Sequence, residues 1–128
     1  MKPITSEWIS KAEGDWNAAR ILFRACKHPN YDGACFHTQQ CAEKYLKARL
    51  EEGGIPFGKT HDLEKLLGQA LTVEPRLSVL RHDMMFLTDF SDEDGYPESS
   101  AIKAQAKEAI QRCGTARNVI RKAFGLKS

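Results

Sequence analysis

Several features that would assign the chain to a familiar class of protein are missing from its 128 residues. No apolar run approaches the roughly 20 residues that a membrane-spanning helix needs, so we expect no membrane association. Charges interrupt the first 16 residues, which argues against a secretory signal peptide. The four cysteines form no CxxC pair and no disulfide framework. We therefore expect small buried thiols and a cytoplasmic location.

A large excess of one charge sign is also absent, because the formal net charge is only +2. That value is too small to indicate nucleic-acid binding by itself. The distribution is uneven: residues 88–98 carry five acids and no base, whereas the chain from Ser99 onward carries seven bases and one acid. These bases spread over several helix faces without interleaved aromatic residues, so they indicate an RNA surface only weakly. Neutralisation by the acidic stretch and ordinary solubility are the alternative.

No stretch alternates with the period of a strand, and apolar residues recur at helical spacing almost everywhere. We predict five helices. The first helix is capped by Thr5 or Ser6 and ends at residues 28–30, and the second runs from about Tyr31 to Glu52. The third helix is capped by Thr60 or Asp62. The fourth starts at Pro75, and the fifth starts at Ser99 or Ser100. The inner stripe of the first helix extends from Trp8 to Cys26. The sequence thus predicts one domain, residues 1–128, with an all-α fold: an antiparallel up-and-down bundle of four to five helices.

The acidic stretch TDFSDEDGYPESS, residues 88–100, has the acids and the glycine that are typical of a calcium-binding loop. Such a loop needs oxygen ligands at its first and twelfth positions and Gly at its sixth. With Gly95 at the sixth position, Phe90 and Ala101 occupy those two places. The pattern therefore predicts no metal ion here, and a polar turn before a helix is the simpler interpretation.

The spacing of Cys35, His37 and Cys41 superficially suggests zinc. On a helix, residues two and six apart point in widely different directions, so these three side chains cannot converge on a tetrahedral ion. We expect no metal site and no cofactor.

A row of polar residues on the second helix is the main candidate for a binding site. His37, Gln40, Lys44 and Lys47 follow one another at steps of three and four, so they share one face. Such a row can hold an anion, a nucleotide phosphate or the acidic patch of a partner. The alternative is an ordinary solvated face.

His61, in KTHDLEKLL, would lie just before the helix that Asp62 caps. We add His61 to the candidate ligand-binding residues as the group at the loop edge. The alternative is a structural histidine that fixes the loop, because no nucleophile or paired base is near it in sequence.

Four segments together resemble the HEPN domain family. They are WISKAEGDWNAA (with the pattern W-x3-A-x2-D-x3-A), YDGACFHTQQCAEKYLKARLEEGG, THDLEKLL, and LTDF followed by GYP. They occur in the family's order and cover the chain from about Trp8 to Ile120. The run QQCAEKYLKA with the downstream THDL is the most specific part.

The resemblance implies a four- or five-helix bundle that usually forms a homodimer. Many HEPN proteins are encoded beside a minimal nucleotidyltransferase, with which they form toxin–antitoxin pairs. Some are metal-independent ribonucleases with an Arg-x4–6-His motif, and others bind nucleotides or are catalytically silent partners.

Both halves of that ribonuclease motif are missing where the family would have them. Gly95 precedes Tyr96-Pro97 at the place of the Arg, and no His follows from Ser99 to Ser128. Arg supplies fixed charge against the transition state and His supplies proton transfer. We therefore expect a catalytically degenerate protein without catalytic residues, one that binds a minimal nucleotidyltransferase, a nucleotide or RNA.

Two alternatives remain open. The chain has one match to the motif elsewhere, Arg76 followed by His82, which we interpret as chance. An active ribonuclease toxin would need His82 with Arg76 or Arg81, or else His37, in a cleft shared by two protomers. A purely structural helical module would have polar rows that do not converge.

Overall fold

The computed structural model describes residues 1–91 and 100–128. Five α-helices are present in these ranges: α1 (Pro3–Arg24), α2 (Tyr31–Glu52), α3 (Leu63–Ala70), α4 (Arg81–Leu87) and α5 (Lys103–Ala123). Two short 3₁₀ segments, Pro75–Leu80 and Thr88–Phe90, flank α4. The described part of the chain contains no strand, which confirms the predicted all-α fold. No helix in it is long and apolar enough to cross a membrane.

Local signals explain where α2 and α3 begin and end. The Asn30 side chain accepts a hydrogen bond from Gly33 N–H at 2.7 Å and caps α2. Gly54, at φ 70°, adopts the left-handed conformation that ends the helix. Asp62 caps α3 by accepting from Glu64 N–H at 3.0 Å, as predicted. These helix ends therefore depend on residues adjacent in sequence.

The predicted starts of the first and last helices were wrong. α1 begins at Pro3, because proline tolerates the first turn, and Thr5 uses its hydroxyl to donate to Glu52 instead of capping. α5 begins at Lys103, not at Ser100, because Asp32 accepts a hydrogen bond from Ala101 N–H at 2.6 Å and an extended segment precedes the helix. Ser99, the other predicted start, lies outside the described residues.

α2 is the central helix and packs against α1, α3 and α5. Both α1 and α2 carry small residues that are almost completely buried, including Ala12, Ala19, Ala34 and Ala42. Larger side chains fill the rest of the core: Tyr45, Leu46, Leu50, Leu63, Leu66, Leu77, Leu80, Met84, Leu87 and Ile120. Small residues let the two helix backbones approach closely.

Three of the cysteines are buried as expected, and one is not. Cys35, Cys41 and Cys113 belong to the core, and burial raises the pKa of the Cys35 thiol to about 11. Cys26 is exposed, because α1 ends at Arg24 and the predicted apolar stripe ends with it.

Candidate functional site

Two of the candidate residues on α2 converge on a carboxylate of α1. Asp15 is buried, and its carboxylate accepts a hydrogen bond from Lys44 Nζ at 2.5 Å. The same carboxylate lies 2.8 Å from His37 Nδ1. An ionised carboxylate can only accept, so Nδ1–H donates to Asp15. His37 and Lys44 thus meet at Asp15 and form one cluster.

The other carboxylate of this region is Glu43, on α2 itself. It is only 3% exposed and accepts from Lys47 Nζ at 2.9 Å and from Gln39 Nε2 at 3.1 Å. His61 Nδ1 donates to it at 2.8 Å from the loop before α3. Burial raises the pKa of Glu43, but the hydrogen bonds from His61, Lys47 and Gln39 outweigh burial and hold that pKa below its ordinary value.

Lys47 is a buried member of the predicted row, not a solvent-facing one. Its ammonium lies 5.7 Å from the centre of the Trp8 ring and 5.8 Å from that of Phe57. The two rings meet edge-on at 6.0 Å. Cation–π contacts and the Glu43 ion pair together satisfy the ammonium. Lys47 therefore connects α1, α2 and the following loop.

Gln39 and Gln40 join the polar row to the loop. Gln40 donates to the Gln39 side chain at 2.7 Å, and Gln39 donates to the backbone carbonyl of His61 at 3.1 Å. Sequence reasoning missed Asp15, Gln39 and Glu43 as members of this network. One signal was available in the sequence. Gln39 lies four residues before Glu43, and Glu43 lies four residues before Lys47, which is the helical spacing at which such side chains pair.

A second network connects α1, α2 and α5. Arg117 makes two parallel hydrogen bonds to the Glu13 carboxylate, at 2.7 and 2.6 Å. Tyr45 Oη donates to Glu13 at 2.5 Å and accepts from Arg121 at 3.1 Å. Burial raises the pKa of Glu13, but the bonds from Arg117 and Tyr45 outweigh burial and lower it overall. Burial and the neighbouring carboxylate raise the pKa of Tyr45.

Some of the basic residues of α5 form ion pairs with carboxylates of the bundle. Arg117 pairs with Glu13, and Arg112 pairs with Asp83 at 3.0 Å and with Glu108 at 2.7 Å. These carboxylates are not those of the acidic stretch, whose residues 92–99 lie outside the described part of the chain. Arg112 and Arg117 of α5 therefore already have carboxylate partners.

The residues of the alternative ribonuclease interpretation, Arg76 and His82, do not contact each other in the described ranges. Gly95, with Tyr96 and Pro97, lies outside them. Arg76 is bound at 2.8 and 3.2 Å by the Glu74 carboxylate, and His82 is exposed. No group of three or more His, Cys, Asp or Glu side chains that could hold a metal ion occurs among the described residues.

The fold and these contacts define a class: a small α-helical bundle whose first two helices are joined by buried ion pairs. A sequence model of the HEPN domain matches residues 5–123, and the chain belongs to the HEPN domain family. The crystal structure of an archaeal HEPN homologue is similar, with a TM-score of 0.73 and 28% identity. The match covers 97% of this chain and 99% of that one. No curated protein matches the chain significantly.

Proposed function

We propose that this HEPN protein acts by binding, as the non-catalytic partner of a minimal nucleotidyltransferase in a toxin–antitoxin-type pair. The observation that carries the proposal is the bonding of its histidines. In residues 1–91 and 100–128, the imidazole rings of His37 and His61 form hydrogen bonds with carboxylates, and neither ring contacts an arginine. Ribonuclease chemistry of the HEPN type needs an arginine beside the histidine, since fixed positive charge must offset the charge that develops on phosphate.

The sequence supports the same conclusion independently. Gly95 occupies the place of the motif arginine, and five acids surround it between residues 88 and 98. Acidic neighbours raise the energy of a bound phosphate instead of lowering it. Arg76, the other match to the motif, already has its guanidinium bound to Glu74. A ribonuclease centre that uses Arg76 would need that ion pair to break.

We further propose that the predicted polar row contributes to partner binding through its accessible members. The side chains of His37 and Lys44 are 25% and 22% exposed, and that of His61 is 59% exposed. Gln40 lies between them on α2. The side chain of Lys47 is only 7% exposed, so this residue supports the row from the protein interior. Because Asp15 and Glu43 already neutralise the two lysines, the row favours a protein surface with mixed polar groups over a nucleotide phosphate.

The proposal also includes a homodimer, and it includes a nucleotide or RNA as the alternative ligand. A homodimer would bring two such rows into one assembly, as the family resemblance implies. Nucleotide binding would need Lys44 to exchange Asp15 for a phosphate oxygen. That exchange is disfavoured while the carboxylate stays ionised, because the buried Asp15 loses its lysine and keeps only His37 of these two partners.

The test combines a cleavage assay with a binding assay. Purified protein of defined oligomeric state is incubated with labelled RNA, beside His82→Ala and His37→Ala. We expect no cleavage above that of the variants. Calorimetric titration with the minimal nucleotidyltransferase of the same genome should then show saturable binding, and titration with ATP or oligouridine should show weaker binding or none. RNA cleavage that His82→Ala or His37→Ala abolishes would overturn the proposal.

A further inference from the structure

The C-terminal half of α1 presents a face that neither ion-pair network uses. A surface groove of about 570 Å³ lies there, lined by Asn17, Arg20, Ile21, Arg24 and Ala25. Residues on successive turns of this set are three or four positions apart, so they lie on one side of the helix and form a continuous surface. We call this surface the arginine groove.

The charge of the arginine groove is uncompensated. Arg20 and Arg24 are one helical turn apart, and the ion pairs of the described residues include neither. By contrast, Arg112 and Arg117 of α5 both bind carboxylates. No acidic residue occurs between Asp15 and Asp32, whereas Lys27 adds a third base. The groove therefore attracts anionic groups.

The groove is also apolar. Ile21 is 69% exposed, which makes it the most exposed large hydrophobic side chain among the described residues. Ala25 and the aliphatic stems of the two arginines extend this apolar surface. A protruding aliphatic residue between two arginines is typical of a protein–protein interface, where an apolar centre is surrounded by a charged rim.

The aromatic residue beside the groove is not available to stack on a nucleic-acid base. The guanidinium of Arg20 lies 5.5 Å from the centre of the Trp16 ring, and that of Arg117 lies 5.7 Å from it. The ring edge packs against Gly114 of α5. Binding of single-stranded RNA relies on free aromatic faces as well as on cations. An aliphatic residue with arginines, but without a free ring, suits a protein carboxylate better than a nucleotide.

We propose that the arginine groove is the docking surface for an acidic, partly apolar segment of the partner protein. Carboxylates of that segment would bind Arg20 and Arg24, and an apolar side chain would cover Ile21. This inference rests on the proposed function, since it names the surface through which the nucleotidyltransferase is bound. It adds a contact on α1 that the polar row of α2 does not provide.

Two single variants test the groove, each with a matched control. Arg24→Glu reverses an exposed charge in the last turn of α1 that takes part in none of the ion pairs of the described residues, and Arg81→Glu makes the same change at an exposed position of α4. Ile21→Ser removes an aliphatic group that is 69% exposed, and Val79→Ser removes one that is 68% exposed. Arg20 is left intact because it packs on Trp16. Thermal melts of all four variants confirm folding before binding is measured.

The measurement is calorimetric titration of each variant with the minimal nucleotidyltransferase, repeated with oligouridine RNA as the probe. We expect Arg24→Glu to weaken nucleotidyltransferase binding at least about tenfold and Ile21→Ser about fivefold, with both controls within about twofold of wild type. If Arg24→Glu and Ile21→Ser both bind the nucleotidyltransferase as wild type does, the arginine groove is not the docking surface, and the proposed function is unaffected. Failure of the wild type to bind would overturn both. A loss confined to oligouridine would assign the groove to nucleic acid instead.

Discussion

The indole of Trp16 on α1 lies directly against Gly114 on α5. A Cβ atom at Gly114 would come within 3.2 Å of Trp16 Cη2, which is closer than nearly all carbon contacts of that kind. This glycine is helical and needs no unusual backbone conformation. Its role is to admit the ring, so the two helices approach each other at a position where α5 has no side chain.

Replacing Gly114 therefore has a cost that an ordinary helical glycine lacks. Alanine favours a helix over glycine by about 1 kcal/mol. We expect Gly14→Ala, where nothing lies within 4 Å, to raise the free energy of unfolding by about that amount. Gly114→Ala must displace Trp16, and we expect it to lower stability by about 1 kcal/mol. Urea unfolding of the two variants measures both, and equal gains would contradict the close contact.

The Glu13–Arg117 pair should contribute more to stability than an exposed pair of the same type. Glu13→Gln leaves Arg117, whose side chain is 15% exposed, without its bidentate partner. We expect a loss of about 2 kcal/mol. The matched control is Glu108→Gln, because Glu108 pairs with Arg112 but is itself 46% exposed. That control should cost less than about 0.5 kcal/mol. Chemical denaturation checks both values, and similar losses would show that burial adds nothing to the pair.

Acid should destabilise the protein through the same carboxylates. The folded-state pKa values of Glu13 and Glu43 are lower than the ordinary value of 4.5. A lowered folded pKa contributes stability above the unfolded pKa, and this contribution is lost as the pH falls through the folded pKa. We therefore expect the melting temperature to be steady above about pH 5 and to fall below it. Melts of Glu13→Gln should show a shallower fall, and an identical fall would assign the acid sensitivity to other groups.

Lys47 and Lys44 belong to the same predicted row but should respond differently to substitution. Lys47→Ala removes the ammonium that lies beside both Trp8 and Phe57 and leaves Glu43 with fewer donors, so we expect a loss of about 3 kcal/mol. Lys44→Ala removes a side chain that is 22% exposed and leaves His37 on Asp15, so about 1 kcal/mol is expected. Thermal and urea unfolding distinguish the two. Equal losses would mean that the aromatic contacts add little.

Local signals made much of the fold predictable. The bounds of α2 follow from Asn30 before it and the two glycines after it, all adjacent in sequence. The start of α5 was mispredicted because Asp32, 69 residues away, binds Ala101 N–H and keeps the preceding segment extended. Serine capping is a local preference, and a long-range hydrogen bond overrode it.

The candidate site was also predictable only in part from the sequence. Helical spacing alone indicates that His37 and Lys44 lie on one side of α2, and both do contact Asp15. The identity of that carboxylate depends on how α1 packs, which periodicity does not encode. The burial of Lys47 likewise depends on Trp8 and Phe57, from two other parts of the chain. A sequence pattern therefore identifies a face more readily than the groups opposite it.

The alanine-lined contact between α1 and α2 has a consequence for how uniquely the bundle folds. Small side chains offer few steric obstacles, so sliding one helix along the other by a turn, about 5.4 Å, would cost little apolar contact. The same slide would separate the buried Asp15 carboxylate from Lys44 and His37, and would separate Glu13 from Tyr45. These polar pairs therefore fix the axial register of α1 against α2.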